Sequence, residues 1–269
     1  MRYRSSLRHP ESLALAYFVY LAAIGWLREV PLKRRLEVTA GGLTMCAAIV
    51  VIGRAGGLIV RQWAPNGYVL AGYYLCGRLF VQPSTRVESW LLQWDRRLLG
   101  DPSTRFSRWP PFVLAYLEVV YMGCFLLVPA GFAALAWTGH QAEADRYWTM
   151  VLAAEFGAFA PLPIVQTRPP WALEPRAVLR DRAVHRFASL FVRRATIGAN
   201  TFPSGHTAGS LAIAFAVIVT LPWIGALLLA LALSIALACI VGRYHYVIDV
   251  MAGAALALAV WAATAAGWI

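Results

Sequence analysis

The feature that most restricts how this chain can fold is its succession of long apolar runs. They fall at about residues 12–27, 38–60, 67–82, 112–137, 147–165, 204–221, 223–241 and 245–267. A helix needs roughly 20 apolar residues to cross a bilayer, and such runs separated by arginine-rich loops are typical of polytopic membrane proteins. We therefore predict an all-α membrane helix bundle with eight candidate spans. The run at 67–82 is the weakest, because it is short.

Composition narrows the classes of function. Hydrophobic residues make up 60% of the chain and charged residues only 14%, whereas soluble domains are nearer half apolar and a quarter charged. The net charge of +11 resides in loops between apolar runs, so we expect membrane lipids and a lipid phosphate as partners, and no nucleic acid. The four cysteines lack paired spacing and predict no disulfide, metal or other cofactor. Nothing in the sequence indicates the oligomeric state.

The N-terminus and two polar connections set the predicted organisation. The basic start resembles a signal peptide without a clear cleavage site, so we interpret the first run as a retained helix. Residues 83–111 mix tryptophan, leucine and arginine, which predicts an amphipathic helix in the headgroup region. We divide the chain into N-terminal membrane helices with this interfacial segment, 1–111, and a catalytic membrane core, 112–269, with the 67–82 helix assignable to either. Residues 166–200 carry seven arginines: Arg168, Arg176, Arg180, Arg182, Arg186, Arg193 and Arg194.

Three short polar stretches border the later apolar runs. "QTRPPW" (166–171) follows the fifth run, "PSGHT" (203–207) opens the sixth, and "GRYHYVIDV" (242–250) joins the seventh to the eighth. Pro222 separates the sixth and seventh runs with almost no loop, which predicts a tight helical hairpin. Because successive spans alternate in direction, all three stretches are expected on one side of the membrane, where they can form one site.

The second and third stretches contain residues suited to phosphate chemistry. Ser204 and Gly205 stand at a helix start, whose free N–H groups favour an anion, although Ser204 also suits a simple helix cap. His206 is a titratable group at the threshold of a membrane helix, which is costly to place without a function. His245 and Asp249 are four residues apart and share one face of a helix. The carboxylate can accept one ring proton and leave the other ring nitrogen nucleophilic.

Two arginines complete the candidate site. Arg168 in the first stretch and Arg243 in the third can each donate two hydrogen bonds to phosphoryl oxygens. Arg243 by itself would more simply extend to lipid headgroups. Asp249, a carboxylate inside an apolar run, is the strongest single candidate. The combination on one membrane side favours a catalytic site over a set of unrelated caps and interfacial charges.

These residues resemble the type 2 phosphatidic acid phosphatase superfamily over roughly residues 112–267. "TRPP" matches the Arg-Pro of the first family motif, "FPSGHT" the Pro-Ser-Gly-His of the second, and "HYVID" the His–Asp spacing of the third. Two positions depart from the pattern, because Pro161 replaces the usual lysine and Cys239 the usual arginine, with Arg243 nearby. Positions 239 and 243 differ by only about 40° around a helix, so Arg243 can substitute if the helix continues to His245. Such "GRYHY…D" forms resemble the branch that includes inositol phosphorylceramide synthases.

The resemblance implies a six-helix phosphatase-like core with about two additional N-terminal transmembrane helices, and a role for each motif residue. His245 attacks phosphorus and becomes phosphorylated, Asp249 orients His245, and His206 protonates the leaving alkoxide. No metal is required, because arginine and helix N–H groups supply the positive charge. The phosphoryl oxygens are held by Arg168, Ser204, Gly205 and Arg243.

Three functions are compatible with this sequence. The first is a metal-independent membrane phosphatase for a phosphatidate-like or polyprenyl (di)phosphate. The second is a lipid phosphotransferase that passes the group to an alcohol such as inositol. The third is a noncatalytic lipid-phosphate binder or transporter, which would not need the His–Asp pair. The sequence does not separate the first two.

The membrane side of the site has two interpretations. Arginines near the motifs favour the cytoplasmic side by the positive-inside rule. The N-terminal arginines Arg2, Arg4 and Arg8, together with the family resemblance, favour the opposite side. We expect an integral protein of the bacterial inner membrane with an extracytoplasmic site.

Overall fold

The computed structural model describes residues 7–173 and 196–269, and in these ranges the protein is built from helices. The all-α prediction is confirmed, since the only β-type pairing within these ranges is an isolated bridge between Thr167 and Asn200. The helices are α1 His9–Ile24, α2 Leu32–Ala55, α3 Leu58–Trp63, α4 Pro65–Gly77, α5 Thr85–Leu99, α6 Pro102–Ser107, α7 Pro111–Trp137, α8 Ala144–Phe159, α9 Pro170–Leu173, α10 Gly205–Ile218, α11 Pro222–Val241 and α12 Val247–Ala265.

Each of the eight apolar runs coincides with a helix: α1, α2, α4, α7, α8, α10, α11 and α12. Within the described part of the chain, α2, α7, α11 and α12 are long and apolar enough to cross a membrane, and α10 is a shorter apolar helix. The protein is therefore an integral membrane helix bundle. The weak third run forms α4, whose 13 residues span about 20 Å, less than the ~30 Å hydrocarbon core.

Helix α10 occupies the centre of the bundle, where it packs against α7, α8, α11 and α12. Nearly all of its residues are buried, because alanines and glycines let neighbouring helices approach closely. The predicted hairpin is present, with three residues between the end of α10 at Ile218 and the start of α11 at Pro222. The second motif thus enters the most buried helix of the protein.

The N-terminal helices pack directly on this core. Helix α1 contacts α2, α4 and α8, and a continuous hydrophobic core runs from α1 and α4 to α7, α8 and α10. A buried ion pair joins α1 to α3, in which Arg61 donates to Glu11 at 2.7 and 2.6 Å. The division after residue 111 stays a prediction from sequence, and the packing is continuous across it.

Helix α5 lies within the predicted amphipathic segment 83–111. The side chain of Ser84 caps its start by accepting from the N–H of Val87 at 3.4 Å. Its buried residues, Glu88, Leu91 and Asp95, recur at helical spacing and face the bundle, where α5 packs on α12. The buried stripe therefore carries two carboxylates besides leucine. Of the arginines noted in the sequence, Arg2, Arg4, Arg176, Arg180, Arg182, Arg186, Arg193 and Arg194 lie outside the described residues.

Candidate active site

The three sequence motifs meet at one end of the bundle. The N–H of Ser204, in the second motif, donates to the carbonyl of Asp249, in the third, at 2.9 Å. The hydroxyl of Tyr246 donates to the carbonyl of Arg168, in the first motif, at 2.9 Å. Residues up to 78 positions apart in sequence are thereby brought into contact.

His245 lies between the two other titratable residues of the motifs. Its Nδ1 is 3.5 Å from Oδ2 of Asp249, and its Nε2 is 3.4 Å from Nδ1 of His206. The expected placement of His245 and Asp249 on one helix is wrong, because α12 begins at Val247 and His245 precedes it. The turn into the helix still brings the pair together. Burial lowers the pKa of His245 to about 3, so the ring is neutral near pH 7, as a nucleophile requires.

Asp249 is held in place by neutral donors. Its Oδ2 accepts from Nδ2 of Asn200 at 2.9 Å and from the N–H of Tyr246 at 3.0 Å. Asn200 also donates to the hydroxyl of Thr167 at 3.0 Å, so it links the first motif to the third. Sequence reasoning did not single out Asn200. The sequence could have indicated a functional role only through its position, three residues before the second motif. Asparagine is common in loops for structural reasons, so that position alone does not predict function.

Aromatic side chains from α7 position His206. The ring of Tyr121 stacks on it with centroids 5.0 Å apart, and Phe125 meets it edge-on at 5.7 Å. Tyr121 also stacks on Tyr244 of the third motif at 3.8 Å. Nε2 of His206 is buried without a hydrogen-bond partner in the described structure. That nitrogen is available to a ligand.

Ser204 and Gly205 form the cap of α10. The hydroxyl of Ser204 accepts from the N–H of Thr207 at 3.3 Å, as in an ordinary N-cap. The N–H of Gly205 donates to the hydroxyl of Thr201 at 3.2 Å, and that of Ser204 is already bound to Asp249. Both amides predicted to face phosphate are therefore engaged within the protein. The amide of His206, by contrast, donates to no acceptor in the described ranges.

Arg168 forms an ion pair with α5. Its Nε and Nη2 donate to the two carboxylate oxygens of Glu88 at 3.0 and 2.9 Å. Burial by itself would raise the pKa of Glu88, but the hydrogen bonds from Arg168 outweigh burial and lower it, so Glu88 stays ionised. The arginine side chain is 40% exposed, and its Nη1 has no bond to the described residues. Arg168 thus has one edge fixed and one edge open.

Arg243 has a buried partner and a different backbone from the one expected. Helix α11 ends at Val241, and Arg243 has a φ of 59°, so the condition under which Arg243 would replace the usual arginine, a helix that continues to His245, is not met. The N–H groups of both Tyr244 and His245 bond to the carbonyl of Cys239, which closes the helix end. The guanidinium is 2% exposed and donates to Asp95 on α5 at 2.6 Å. Asp95 also accepts from the N–H of Val247 at 2.9 Å. Arg243 therefore braces the loop that carries His245.

A cavity of about 420 Å³ opens on the two histidines. Of the predicted site residues, Gly205, His206 and His245 line it, whereas Ser204, Asp249, Arg168 and Arg243 do not. Buried polar atoms without hydrogen bonds lie at and beside this cavity: within the described ranges they include atoms of His206 and His245, which line it, and of Asp249 and Asn200 behind His245. Such atoms are uncommon in folded proteins and mark a place where a polar ligand can bind.

Comparison with known proteins gives one match. A family model described as the PAP2 superfamily matches residues 89–263, about two thirds of the chain, and includes all three motifs. No curated protein and no solved structure matches the chain.

Proposed function

Because the chain belongs to the PAP2 superfamily, we propose that it is a membrane lipid-phosphate phosphatase that works through a phosphohistidine on His245. The observation that carries this proposal is the position of His245, with Asp249 at one ring nitrogen and His206 at the other, 3.5 and 3.4 Å away. A neutral imidazole oriented by a carboxylate is a nucleophile, and a second histidine beside it supplies proton transfer.

In the first proposed step, the Nε2 lone pair of His245 attacks phosphorus. The bond from phosphorus to the lipid oxygen breaks, and His206, which the negative charge of the bound phosphate keeps protonated, gives its proton to that leaving oxygen. Asp249 accepts a hydrogen bond from the Nδ1–H group of His245 and stabilises the positive charge that develops on the ring. In the second step, His206 takes a proton from water, the water oxygen attacks phosphorus, the N–P bond breaks and phosphate leaves.

The phosphoryl oxygens need donors near His245. We propose the open edge of Arg168 and the start of α10, where the N–H of His206 has no acceptor among the described residues, while those of Ser204 and Gly205 are engaged. Arg243 is bound to Asp95, so we propose that it acts mainly by holding the His245 loop. A hydrogen-bond distance of 3.4 Å leaves no space for a phosphoryl group between the two rings. The rings must therefore separate when substrate binds.

A lipid phosphotransferase remains the second candidate. It shares the first step, and an alcohol such as inositol then replaces water as the acceptor. The "GRYHY" form of the third motif favours this candidate, because it resembles the inositol phosphorylceramide synthase branch. A noncatalytic binder would have no need of the paired His245 and Asp249.

Purified protein assayed with a panel of lipid phosphates, with and without inositol, tests both candidates. We expect phosphate release from at least one lipid, and none from the His245→Ala variant. A product that contains inositol and appears at the expense of free phosphate would favour the phosphotransferase. Binding of lipid phosphates without turnover by the wild-type protein would leave only the binder.

A further inference from the structure

The cavity beside the histidines extends far beyond them. On α10 its wall runs from His206 to Ile213, and on α7 from Tyr121 to Pro129, a distance of about 10–12 Å along each helix. The far end lies near Trp63, whose ring contacts Phe132 at 5.0 Å. The cavity is therefore an elongated channel parallel to the helices. It starts at the end of the bundle that holds the motifs and leads towards its middle.

The wall opposite α10 belongs to the N-terminal helices. Trp63 of α3 and Asn66, Val69, Leu70 and Tyr73 of α4 line it, and all of them precede the residues that match the family model. Most of the channel lining is aliphatic or aromatic. An apolar channel of this size, leading away from a phosphate site into a membrane protein, suits one hydrocarbon chain of a lipid phosphate.

One buried carboxyl group interrupts this apolar wall. Glu155 on α8 lines the channel and is only 9% exposed. Its carboxylate receives no hydrogen bond and forms no ion pair with any described residue. It lies against the first turns of α10, because a Cβ on Gly209 would be 1.9 Å from Oε1 and one on Gly205 3.4 Å from Oε2. The two glycines thus make room for a carboxylate that has no partner.

A second acceptor lies at the deep end of the channel. Oδ1 of Asn66 is buried without a hydrogen-bond partner, while Nδ2 of the same side chain donates to the carbonyl of Trp63 at 3.0 Å. Leaving a buried acceptor without a donor is destabilising, whether the acceptor belongs to a carboxyl group or to an amide. Both groups are hydrogen-bond acceptors that await a donor.

On the basis of the proposed phosphatase site, we propose that Glu155 selects a single-chain lipid phosphate that carries a hydrogen-bond donor, such as a hydroxyl group, a few atoms from its phosphate. Glu155 precedes Phe159 by one helical turn, and both line the channel next to Gly205. A donor next to the phosphate would therefore reach the carboxylate as the chain enters the channel. A water-soluble acceptor alcohol would approach from the outer end instead. The lipid itself is thus the better source of the donor.

Three probes of equal chain length test this inference: lysophosphatidate, which has a free hydroxyl, an alkyl phosphate, which has none, and a diacyl phosphatidate. We expect wild-type protein to prefer lysophosphatidate in kcat/KM. Glu155→Leu should lower kcat/KM for lysophosphatidate about 10- to 100-fold, the loss expected when a buried hydrogen bond is removed and its donor is left without a partner, and leave the alkyl phosphate nearly unchanged. Glu155→Gln keeps one acceptor oxygen, so its kcat/KM for lysophosphatidate should lie between that of wild-type protein and that of Glu155→Leu.

Thermal unfolding of the same variants separates a binding role from a structural one. Removal of an unpaired buried carboxylate should raise Tm, whereas removal of a structural group lowers it. Glu11→Gln is the matched control, because Glu11 is a buried carboxylate that pairs with Arg61 outside the channel. This variant should lower Tm and leave the ratio of kcat/KM between the probes unchanged. Equal losses on lysophosphatidate and alkyl phosphate, or a lowered Tm for both Glu155 variants, would overturn the inference.

A binding measurement keeps the inference independent of turnover. In the His245→Ala background, lysophosphatidate should raise Tm more than the alkyl phosphate does, and Glu155→Leu should abolish that difference. If wild-type protein hydrolyses no probe but this difference in Tm is present, the proposed reaction fails and the role of Glu155 stands. If the probes are hydrolysed without any such difference, the role of Glu155 fails and the reaction stands.

Discussion

Two buried carboxylates in neighbouring regions of the bundle have opposite surroundings. In the N-terminal region, Glu11 is 2% exposed and both of its oxygens accept from Arg61, so the charge is fully paired. In the channel, Glu155 is nearly as buried and has no partner among the described residues. In the sequence, Glu11 directly precedes the first apolar run and Glu155 lies inside the fifth, and neither position shows which carboxylate has a partner. The contrast indicates that the first stabilises the fold, while the second is kept at a cost in stability for binding.

The same contrast extends to whole regions. The ion pairs that hold α1, α3 and α5 to the bundle are complete, whereas several polar atoms around His206 and His245 lack partners. The unsatisfied region therefore carries the proposed chemistry, and the satisfied regions support it.

His245→Ala should abolish turnover of every substrate, because it removes the proposed nucleophile. Released phosphate from the best lipid probe measures this loss, and an unchanged elution profile in detergent shows that the variant is folded. More than a trace of remaining activity would show that another residue is the nucleophile. The proposed chemistry would then not depend on the region around His245.

His206→Ala should reduce turnover of an alkyl phosphate by roughly 10²–10⁴-fold, the usual contribution of a general acid. The nitrophenolate group of an activated ester such as a nitrophenyl phosphate leaves without protonation. The variant should therefore lose much less activity on that ester. The ratio of the two losses is the measurement. Equal losses on both substrates would argue against His206 as the acid.

Arg61→Met should destabilise the protein by about 3–5 kcal/mol, because it leaves Glu11 buried and unpaired. The double variant Glu11→Leu with Arg61→Met should recover most of that stability. Unfolding followed in detergent checks both, and the preference among lipid probes should not change. A shifted preference would mean that the N-terminal ion pair also shapes the channel.

Asp95→Asn should lower kcat/KM about tenfold, because it weakens the bond that holds Arg243 and hence the His245 loop. Arg243→Ala should cost at least as much. Cys239→Arg should not restore the Arg243→Ala variant, because α11 ends at Val241 and Cys239 is fully buried. Rescue by Cys239→Arg would show that a guanidinium at this helix end contacts substrate directly.

Addition of a chelator should leave turnover nearly unchanged, since arginine and backbone N–H groups supply the positive charge in the proposed mechanism. Initial rates with and without chelator, on protein purified without added metal, measure the effect. A strict Mg²⁺ requirement would exclude the mechanism as proposed.

Much of the helical framework was accessible from the sequence. Apolar runs and helix signals act over a few residues, so the runs predicted eight helices, and Pro222 predicted the hairpin between α10 and α11. Ser204 followed the same local logic and caps α10 as its residue type suggests. The one local failure lies at the end of α11, where the backbone of Arg243 turns into a left-handed conformation that its residue type does not signal.

What tertiary structure alone decided is which charges are paired. Arg168 and Arg243 were predicted to hold phosphate, yet each binds a carboxylate of α5 that is 80 and 148 positions away. Asn200 as the partner of Asp249 and the N-terminal wall of the channel were equally invisible. The physical reason is that periodicity fixes which face of a helix is apolar, but not which helix lies against it. An ion pair, or a carboxylate left without one, exists only after the helices have packed.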